Sequence, residues 1–377
     1  MRILIVGAGI AGLSLARALE RSGMEATLVE RQPELLTTGA GLFLPGNAVR
    51  AIDQLGLLEE VTERAVPIRR QLILDAGGKV LNAIETEHFW RGCGPCLALQ
   101  HKDFHGILKA SLRRSTVAFD RSITSLSQDS AGCSVTFDDG STAKYDLVVG
   151  ADGMHSKLRS TALSGGPARY VGNVCWRFIT KNIADIACWT AMLGKGRTLL
   201  AIPVSQTDVY VYADMAVPSE GILALSRISP LRSLFKGFAG PVFPLIDRLP
   251  SDAHVFPSDA HVHYGPIEEV QLEDWVKDRI VLLGDAAHGC SPSMAEGAGM
   301  AMEDALVLVE ELSRGTDVSK ALFAYAERRR PRVDWVQNQC RARDRMRSLP
   351  ALPRAVMLRL FGTSLYRRSY SALLDPF

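Results

Sequence analysis

Three short turns in the sequence carry the glycine and acidic residues that could hold a nucleotide. The first turn, GAGIAG at residues 7–12, follows the apolar run RILIV at 2–6. Glycines at these spacings permit a tight turn, close approach of backbone to a pyrophosphate, and close packing of helix on strand. The helix N-terminus then faces the phosphates with its partial positive charge. Glu30 ends the next apolar run, ATLVE, where a carboxylate can accept both ribose hydroxyls.

The second and third turns also follow buried-strand patterns. LVVGADG at 147–153 places Asp152 at the carboxyl edge of a sheet, where open α/β sheets bind ligands. The third turn starts with GDAAH at 284–288 and leads through a loop with proline and small residues to a long helix. Small residues let a flat ligand lie against the backbone. The N–H groups near Gly297 and Ala298 could hold negative charge.

The elements around these turns predict an α/β fold. We expect a Rossmann-like nucleotide-binding domain with an interleaved, mainly β second domain and C-terminal helices. Short alternating runs such as VCWRFIT, RTLLAIPV and DVYVYADM dominate residues 171–265. The predicted boundaries are 1–70, 98–170 and 270–345 for the first domain. The second domain takes 71–97 and 171–269, and a helical tail takes 346–377.

Composition narrows the class of protein. The 377 residues are 22% charged and 47% hydrophobic, which is typical of a globular protein with a sizeable core. A net charge of +2 is too small to favour nucleic acid. No run of 18 apolar residues and no secretory signal is present, and seven cysteines form an odd set. We expect a cytoplasmic protein with free thiols and no strong membrane signal.

Eight arginines are concentrated between residues 328 and 347. We interpret them as a solvated helix face, with contact to a polyanion or a membrane as the alternative.

In their order and distances, the three turns resemble the FAD-dependent aromatic hydroxylases, the para-hydroxybenzoate hydroxylase-like class A flavoprotein monooxygenases. The resemblance implies FAD as cofactor and NADH or NADPH as co-substrate. It implies O2-dependent hydroxylation of an aromatic or related electron-rich small molecule through a flavin C4a-hydroperoxide. It also implies a monomer or a homodimer. The FAD contacts that it implies are Gly7, Gly9, Ile10, Ala11, Gly12, Glu30, Arg31, Asp152, Gly153, Gly284, Asp285, Pro292, Gly297, Ala298 and Gly299.

Three positions depart from the pattern of that family. Glu296 and Gly299 stand where the family usually has glutamine and asparagine. His101 stands where the family commonly has an arginine. Either Lys102 supplies the missing charge, or His101 itself contacts the ribityl chain or a phosphate of FAD.

The reaction needs no protein nucleophile, so the catalytic residues stay open. The protein must orient the substrate, exclude water and stabilise charge on the flavin. Weak candidates for a catalytic role are Arg177, His288, Tyr210 and Tyr212. His261 and His263 alternate along one predicted strand and are further candidates. The sequence has no HExxH and no Cys/His cluster at metal spacing, so we predict no metal.

Two alternatives accompany the prediction of a hydroxylase. One is a flavoprotein of the same fold with other chemistry, namely a halogenase or a prenyl-lipid reductase. The other is a protein that retains FAD without turnover.

The stretch CGPC at 93–96 has the cysteine spacing of a redox dithiol. A thioredoxin-like pair needs its first cysteine at a helix N-terminus. Here the residues that follow, LAL at 97–99, predict a strand instead. A zinc site needs a second pair at suitable spacing. We therefore interpret CGPC as a tight crossover, with the dithiol and the zinc site as the alternatives.

Overall fold

The computed structural model describes residues 1–34, 41–129, 132–222, 225, 231–247, 262–315 and 317–377. The strands β1 to β19 are, in order, Ile3–Val6, Ala26–Val29, Gly41–Leu44, Val66–Pro67, Arg70–Asp75, Val80–Glu85, Leu97–Gln100, Thr116–Ala118, Ile123–Asp129, Gly132–Phe137, Thr142–Tyr145, Leu147–Gly150, Arg169–Lys181, Trp189–Gly194, Arg197–Pro203, Asp208–Ala216, His263–Glu269, Val276–Lys277 and Ile280–Leu282. The helices α1 to α12 are Ile10–Arg21, Gly46–Gln54, Leu58–Thr62, Thr86–Phe89, His101–Ser111, Lys157–Ala162, Leu231–Leu234, Phe243–Asp247, Asp285–His288, Gly297–Ser313, Val318–Arg347 and Ala351–Tyr370.

A six-stranded sheet carries the three predicted turns. Its order is β18-β19-β12-β1-β2-β8, and every pair except β18–β19 is parallel. The central strands β1 and β12 are buried apart from the half-buried Val6, which explains their continuous apolar sequences. Val6 of β1 pairs with Gly150 of β12, and Gly150 pairs with Leu282 of β19. The three turns therefore leave the same carboxyl edge of the sheet.

A second, seven-stranded sheet is mostly antiparallel, in the order β17-β13-β16-β15-β14-β5-β6. The β5–β6 hairpin turns at Gly77 and Gly78 and joins this sheet through a parallel pairing of β5 with β14. Gly78 has a φ of +86°, a value that favours glycine. The predicted α/β fold class, with an interleaved mainly β part and C-terminal helices, is confirmed.

The apolar spacing of the sequence predicts helices over 47–64, over 103–114 and near 220–238, and the structure gives all three other bounds. Residues 47–64 form two helices, α2 and α3, because Gly56 between them has a φ of +67°. The second predicted helix is α5, which begins at His101. The range 220–238 includes α7 (Leu231–Leu234), while part of it lies outside the described residues. The tail forms the long helix α12.

The arginines of α11 are not a solvated helix face, so that interpretation was wrong. Arg329 is buried and pairs with Glu303 and Asp304 of α10, with N–O distances of 2.8 Å. Others reach carboxylates, carbonyl oxygens or aromatic rings of neighbouring elements. These contacts stabilise the packing of α11 against the rest of the protein. The sequence could not show them because the acidic partners lie far away along the chain.

None of the described helices combines the length and the apolar character needed to cross a membrane.

Candidate flavin and substrate site

Two glycines of the first turn pack closely against other protein atoms, and a third does not. Gly7 has a φ of +105°, and a Cβ there would lie 2.3 Å from the carbonyl oxygen of Ala151. A Cβ on Gly12 would lie 2.0 Å from the Gly7 oxygen. A Cβ on Gly9 would meet no atom within 4 Å. Gly7 and Gly12 therefore fix the packing of the turn, and Gly9 leaves open space at the start of α1, where Ile10 and Ala11 line a cavity.

Glu30 holds the same turn through its carboxylate. One oxygen accepts a hydrogen bond from the Ala8 N–H at 2.9 Å, and the other accepts from the Gln32 N–H at 3.0 Å. Arg31 is exposed beside it. Neither Glu30 nor Arg31 is among the residues that line the cavity.

In the second turn, Asp152 makes hydrogen bonds within the protein and Gly153 lines the cavity. Asp152 accepts hydrogen bonds from the N–H groups of Lys157 at 2.8 Å and Leu158 at 3.3 Å, which holds the start of α6. Gly153 has a φ of +79°, has open space at its Cβ position and lines the cavity. The cavity wall is thus backbone at Gly153, and Asp152 supports that backbone.

The third turn supplies a carboxylate and a flat wall. Gly284, with a φ of +56°, packs against Ala11 and Ala301. Asp285 follows it and lines the cavity, and the surrounding protein raises its pKa by desolvation, against the opposing charge of Arg177. Pro292, Gly297 and Ala298 also line the cavity. Gly299 does not: a Cβ there would lie 2.7 Å from Oε2 of Glu296.

His288 is buried and supports the third turn from behind. Its Nε2 lies 2.6 Å from Oδ2 of Asp304, which also accepts a hydrogen bond from the Gly284 N–H at 2.9 Å. Although burial raises the pKa of Asp304, the charges of His288 and Arg329 lower it to about 2. His288 does not line the cavity, so the geometry gives it a positioning role.

The far wall of the cavity is one face of the seven-stranded sheet. Strand register places one residue from each of six neighbouring strands in a single row: His263, Arg177, Tyr212, Leu200, Ala191 and Ile73. All six line the cavity. The row is polar over β17, β13 and β16 and apolar over β15, β14 and β5. Residues of directly paired strands point to the same face, so this gradient faces the ligand space.

Arg177 is a charged group with no hydrogen bond or ion pair among the described residues. Burial alone would lower its pKa, but nearby Cys175, Tyr210 and other groups raise it, so the guanidinium stays charged. Its Nε is buried and unpartnered, and no residue in the described ranges accepts a hydrogen bond from it. A buried, unpaired charge is costly unless a ligand compensates it. Arg177 therefore points to an electron-rich ligand group.

The other polar residues of this wall differ in what they can still do. Both Tyr210 and Tyr212 line the cavity. The Tyr212 hydroxyl donates a hydrogen bond to Asp214 at 2.9 Å. Burial raises the pKa of Tyr210. Burial and the charge of Arg177 lower the pKa of His263 to about 4. His263 is therefore neutral at neutral pH. His261 lies outside the described residues.

His101 also lines the cavity at the first turn of α5. Burial lowers its pKa to about 4, and the charges of His105 and Arg177 act in the same direction. His101 is therefore a neutral group that can exchange hydrogen bonds. It does not replace the positive charge of an arginine.

Sequence reasoning missed the C-terminal helix as a wall of the site. Leu358, Gly362, Leu365 and Tyr366 of α12 line the cavity together with the apolar end of the sheet. A Cβ on Gly362 would lie 2.4 Å from Nδ2 of Asn82, so α12 packs tightly on β6. No motif marks these residues, because they reach the site only through tertiary packing.

The cavity that these walls enclose has a volume of about 1070 Å³. A pocket for one drug-sized ligand measures roughly 300–1,000 Å³. The space is therefore large enough for part of a cofactor together with a second molecule. Its open positions at Gly9 and Gly153 fit a flat ligand with a phosphate tail.

The CGPC loop lies apart from this cavity. Cys93 is half-buried, and desolvation raises its pKa, against the charges of Arg50 and Arg332. Burial raises the pKa of Cys96 further. A reactive dithiol needs a thiolate, which these raised pKa values disfavour.

Known proteins are similar to this chain in sequence and in structure. A family model described as FAD binding domain matches residues 1–175 and 256–339. The 2-heptyl-3-hydroxy-4(1H)-quinolone synthase of Pseudomonas aeruginosa is 30% identical over 346 residues, which cover 90% of this chain and 87% of that protein. The FAD-dependent urate hydroxylase of Klebsiella pneumoniae is 32% identical, covering 88% of this chain and 87% of the relative. The structure of Klebsiella pneumoniae HpxO with FAD and uric acid matches with a TM-score of 0.85 and 27% identity, over 100% of this chain and 97% of that one.

Proposed function

Because the chain belongs to the FAD-dependent monooxygenases of the para-hydroxybenzoate hydroxylase-like family, we propose that it hydroxylates a heteroaromatic ring that carries an apolar substituent. The predicted family, enzyme class and cofactors, FAD with NAD(P)H, are confirmed. The observation that carries the substrate proposal is the row of residues that changes from polar to apolar across the cavity.

The residues at the nucleotide end fit FAD. Gly9 would lie at the pyrophosphate, and Asp285 would accept hydrogen bonds from the ribityl chain. Pro292, Gly297 and Ala298 would lie along the isoalloxazine, with the N–H groups that begin α10 near its carbonyl oxygens. Bound FAD supplies hydride acceptance from NAD(P)H and O2 activation. The chain's own residues hold the ring, enclose it and keep water out.

At the polar end of the row, we propose that Arg177 binds an oxygen of the substrate ring. Its charge would stabilise the deprotonated form of that oxygen, which makes the ring a better nucleophile. The Tyr210 hydroxyl would donate to the same oxygen. His263 and His101, being neutral, would orient polar ring atoms by hydrogen bonds without adding charge.

At its apolar end, the cavity is lined by the sheet and by α12, and we refer to this part as the apolar arm. Its walls include Ile73, Leu200 and Leu358. Burial of an apolar group there would add binding free energy of about 0.8 kcal/mol per methylene. One relative, from Pseudomonas aeruginosa, is named for a quinolone that bears a heptyl chain, which supports a substituent of this kind.

A substrate series tests the proposal. Purified protein with FAD is given NADH or NADPH and 4-quinolones that carry no chain, alkyl chains of increasing length, or chains that end in an ammonium group. We expect a product heavier by one oxygen atom, with kcat/KM rising up to roughly fourfold per methylene. The charged chains should lose this gain because an ammonium group cannot be buried in the arm.

A variant localises the effect. Leu200→Asn should flatten the dependence on chain length and leave turnover of the unsubstituted ring unchanged. Equal kcat/KM for all chain lengths in the unmodified protein would rule out the apolar arm as a substrate site, whereas the hydroxylation itself would still be read from the product mass.

We further propose that the enzyme works in the cytoplasm, as a monomer or a homodimer. Cell fractionation and light scattering test these two points.

A further inference from the structure

The C-terminal helix α12 has an apolar outer face as well as an apolar inner one. Leu352, Val356 and Leu360 follow one another at four-residue spacing, so they lie on one side of the helix. They are 76%, 48% and 68% exposed, and the adjacent Phe361 is 57% exposed. We refer to these four residues as the outer patch. Its side chains contribute little to the core.

The outer patch is unusual for a helix that already buries another face. Leu358, Gly362 and Tyr366 are buried on the inner side. A surface helix of a globular protein normally turns polar residues to solvent. A contiguous apolar patch of this kind marks contact with a protein or a membrane.

The charges around the outer patch select between these partners. Arg359 and Arg367 are exposed on the same helix and make no ion pair in the described ranges. The sequence has no Asp or Glu from residue 345 to residue 374. An apolar face with basic residues around it is typical of helices that lie in the interface of a bilayer. Anionic lipid headgroups would complement the arginines.

We propose that α12 docks this protein on an anionic lipid bilayer, with the outer patch inserted among the acyl chains and the arginines at the headgroups. A second copy of the chain is a poorer occupant. Two α12 helices packed through this face would bring their arginines together with no acidic residue on either helix to pair with them. A bilayer supplies both the apolar contact and the negative charge.

The position of α12 relates this surface to the cavity. Leu358 and Leu365 line the apolar arm from the inner side of the same helix. An apolar substrate dissolved in lipid would therefore be taken up close to its site. This last point alone rests on the proposed function, and the docking itself does not.

Vesicle sedimentation tests the docking with the full-length FAD-loaded protein. We expect it to pellet with vesicles of phosphatidylcholine mixed with phosphatidylglycerol, and hardly with phosphatidylcholine alone. Added salt should weaken binding. The double variant Arg359→Gln/Arg367→Gln should bind roughly 25-fold more weakly, at about fivefold per arginine. The double variant Leu352→Ser/Leu360→Ser should lose about tenfold or more.

Matched controls use equally exposed residues elsewhere. Phe323→Ser removes an exposed apolar residue of α11, and Lys144→Gln/Lys195→Gln removes two exposed charges. Both controls should bind vesicles like the unmodified protein. All variants should keep their FAD, judged by the flavin-to-protein absorbance ratio. That measurement separates loss of docking from loss of fold.

Three results would overturn the docking proposal. The unmodified protein does not sediment with anionic vesicles; the control variants lose as much binding as the patch variants; or light scattering shows a dimer that Leu352→Ser/Leu360→Ser dissociates. The third result would assign the outer patch to a contact between copies. None of these measurements depends on turnover of a substrate.

Discussion

The two ends of the cavity are built from different parts of the chain. Its nucleotide end consists of backbone and small residues in three turns, each of which directly follows a strand of one parallel sheet. Its substrate end consists of side chains from six strands and from α11 and α12. Backbone turns are specified by a few neighbouring residues, whereas the row of side chains depends on strand register. The nucleotide end should therefore tolerate little change, and the substrate end should change its ligand without losing the fold.

Glycine substitutions in the first turn test the nucleotide end and should have the largest effect. Gly12→Ala would place a Cβ 2.0 Å from the Gly7 oxygen. We expect it to lower the free energy of unfolding by about 3 kcal/mol or more, because the Gly7 oxygen belongs to tightly packed backbone that cannot move aside. Urea unfolding and the FAD content of the purified protein measure the effect.

Gly9→Ala is the matched control, since its Cβ would meet no protein atom. Its stability should stay within about 0.5 kcal/mol of the unmodified protein. FAD should nevertheless bind about tenfold more weakly, because the methyl group enters the space proposed for the pyrophosphate. Equal losses of stability in both variants would show that the turn is merely structural.

Replacement of Arg177 tests the substrate end. Arg177→Met should keep the FAD content and lower kcat/KM by about 10–100-fold, which corresponds to one lost hydrogen bond to a charged group. Removal of a partly buried guanidinium that has no hydrogen-bond partner among the described residues should also stabilise the protein without substrate by about 1 kcal/mol. Arg177→Lys should recover part of kcat/KM because it keeps the charge. A drop in FAD content with an unchanged KM would instead assign Arg177 to the flavin.

Glu296 is buried directly before α10, next to cavity-lining residues, and predicts a pH effect. Burial raises its pKa to about 8; the hydrogen bond from Asn47, at 2.9 Å, opposes this, and the charge of Glu303 adds to it. The folded state therefore holds a proton that the unfolded state has already released above the ordinary glutamate pKa. Stability is full below about pH 4.5 and falls as the pH rises to about 8.

Glu296→Gln should remove this fall. We expect equal stability of the two proteins near pH 5 and a gain of about 2 kcal/mol for the variant near pH 9. Urea unfolding at both pH values measures the difference. The same slope in both proteins would mean that Glu296 is ionised in the folded state at neutral pH.

Prediction from sequence succeeded where a local pattern determines the geometry. The turns at Gly7, Gly153 and Gly284 each follow an apolar strand, so their position at one sheet edge could be expected. The row that contains Arg177 could not, because it depends on the register of strands far apart in sequence. The motif that contains Asp152 did not show which of its residues faces the cavity. The Asp152 carboxylate caps α6, and its neighbour Gly153 lines the cavity.

The arginines of α11 and the wall formed by α12 escaped prediction for a related reason. Charge density along a helix does not tell whether acidic partners arrive from elsewhere. Arg329 pairs with Glu303 and Asp304 on α10, the helix that precedes α11. The apolar residues of α12 occur all round the helix, so no periodic pattern separated its inner wall from its outer patch.

His101 offers the smallest and most specific test of how the two ends meet. Its neutral ring lies near the charge of Arg177, which helps to lower its pKa to about 4. In this chain an arginine at position 101 would place a second cation near Arg177. We therefore expect His101→Arg to lose about 1 kcal/mol of stability, and His101→Gln to lose less.

The pH dependence of His101 gives the second readout. Unfolded histidine takes up a proton near pH 6.5, whereas folded His101 does so only near pH 4. Stability is thus full above pH 6.5 and falls as the pH drops towards 4. His101→Gln should reduce that fall by about 1 kcal/mol between pH 7 and pH 5, measured by urea unfolding. If His101→Arg is as stable as the unmodified protein and binds FAD more tightly, then the histidine is a simple replacement for the family's arginine, and the charge of Arg177 does not explain the departure.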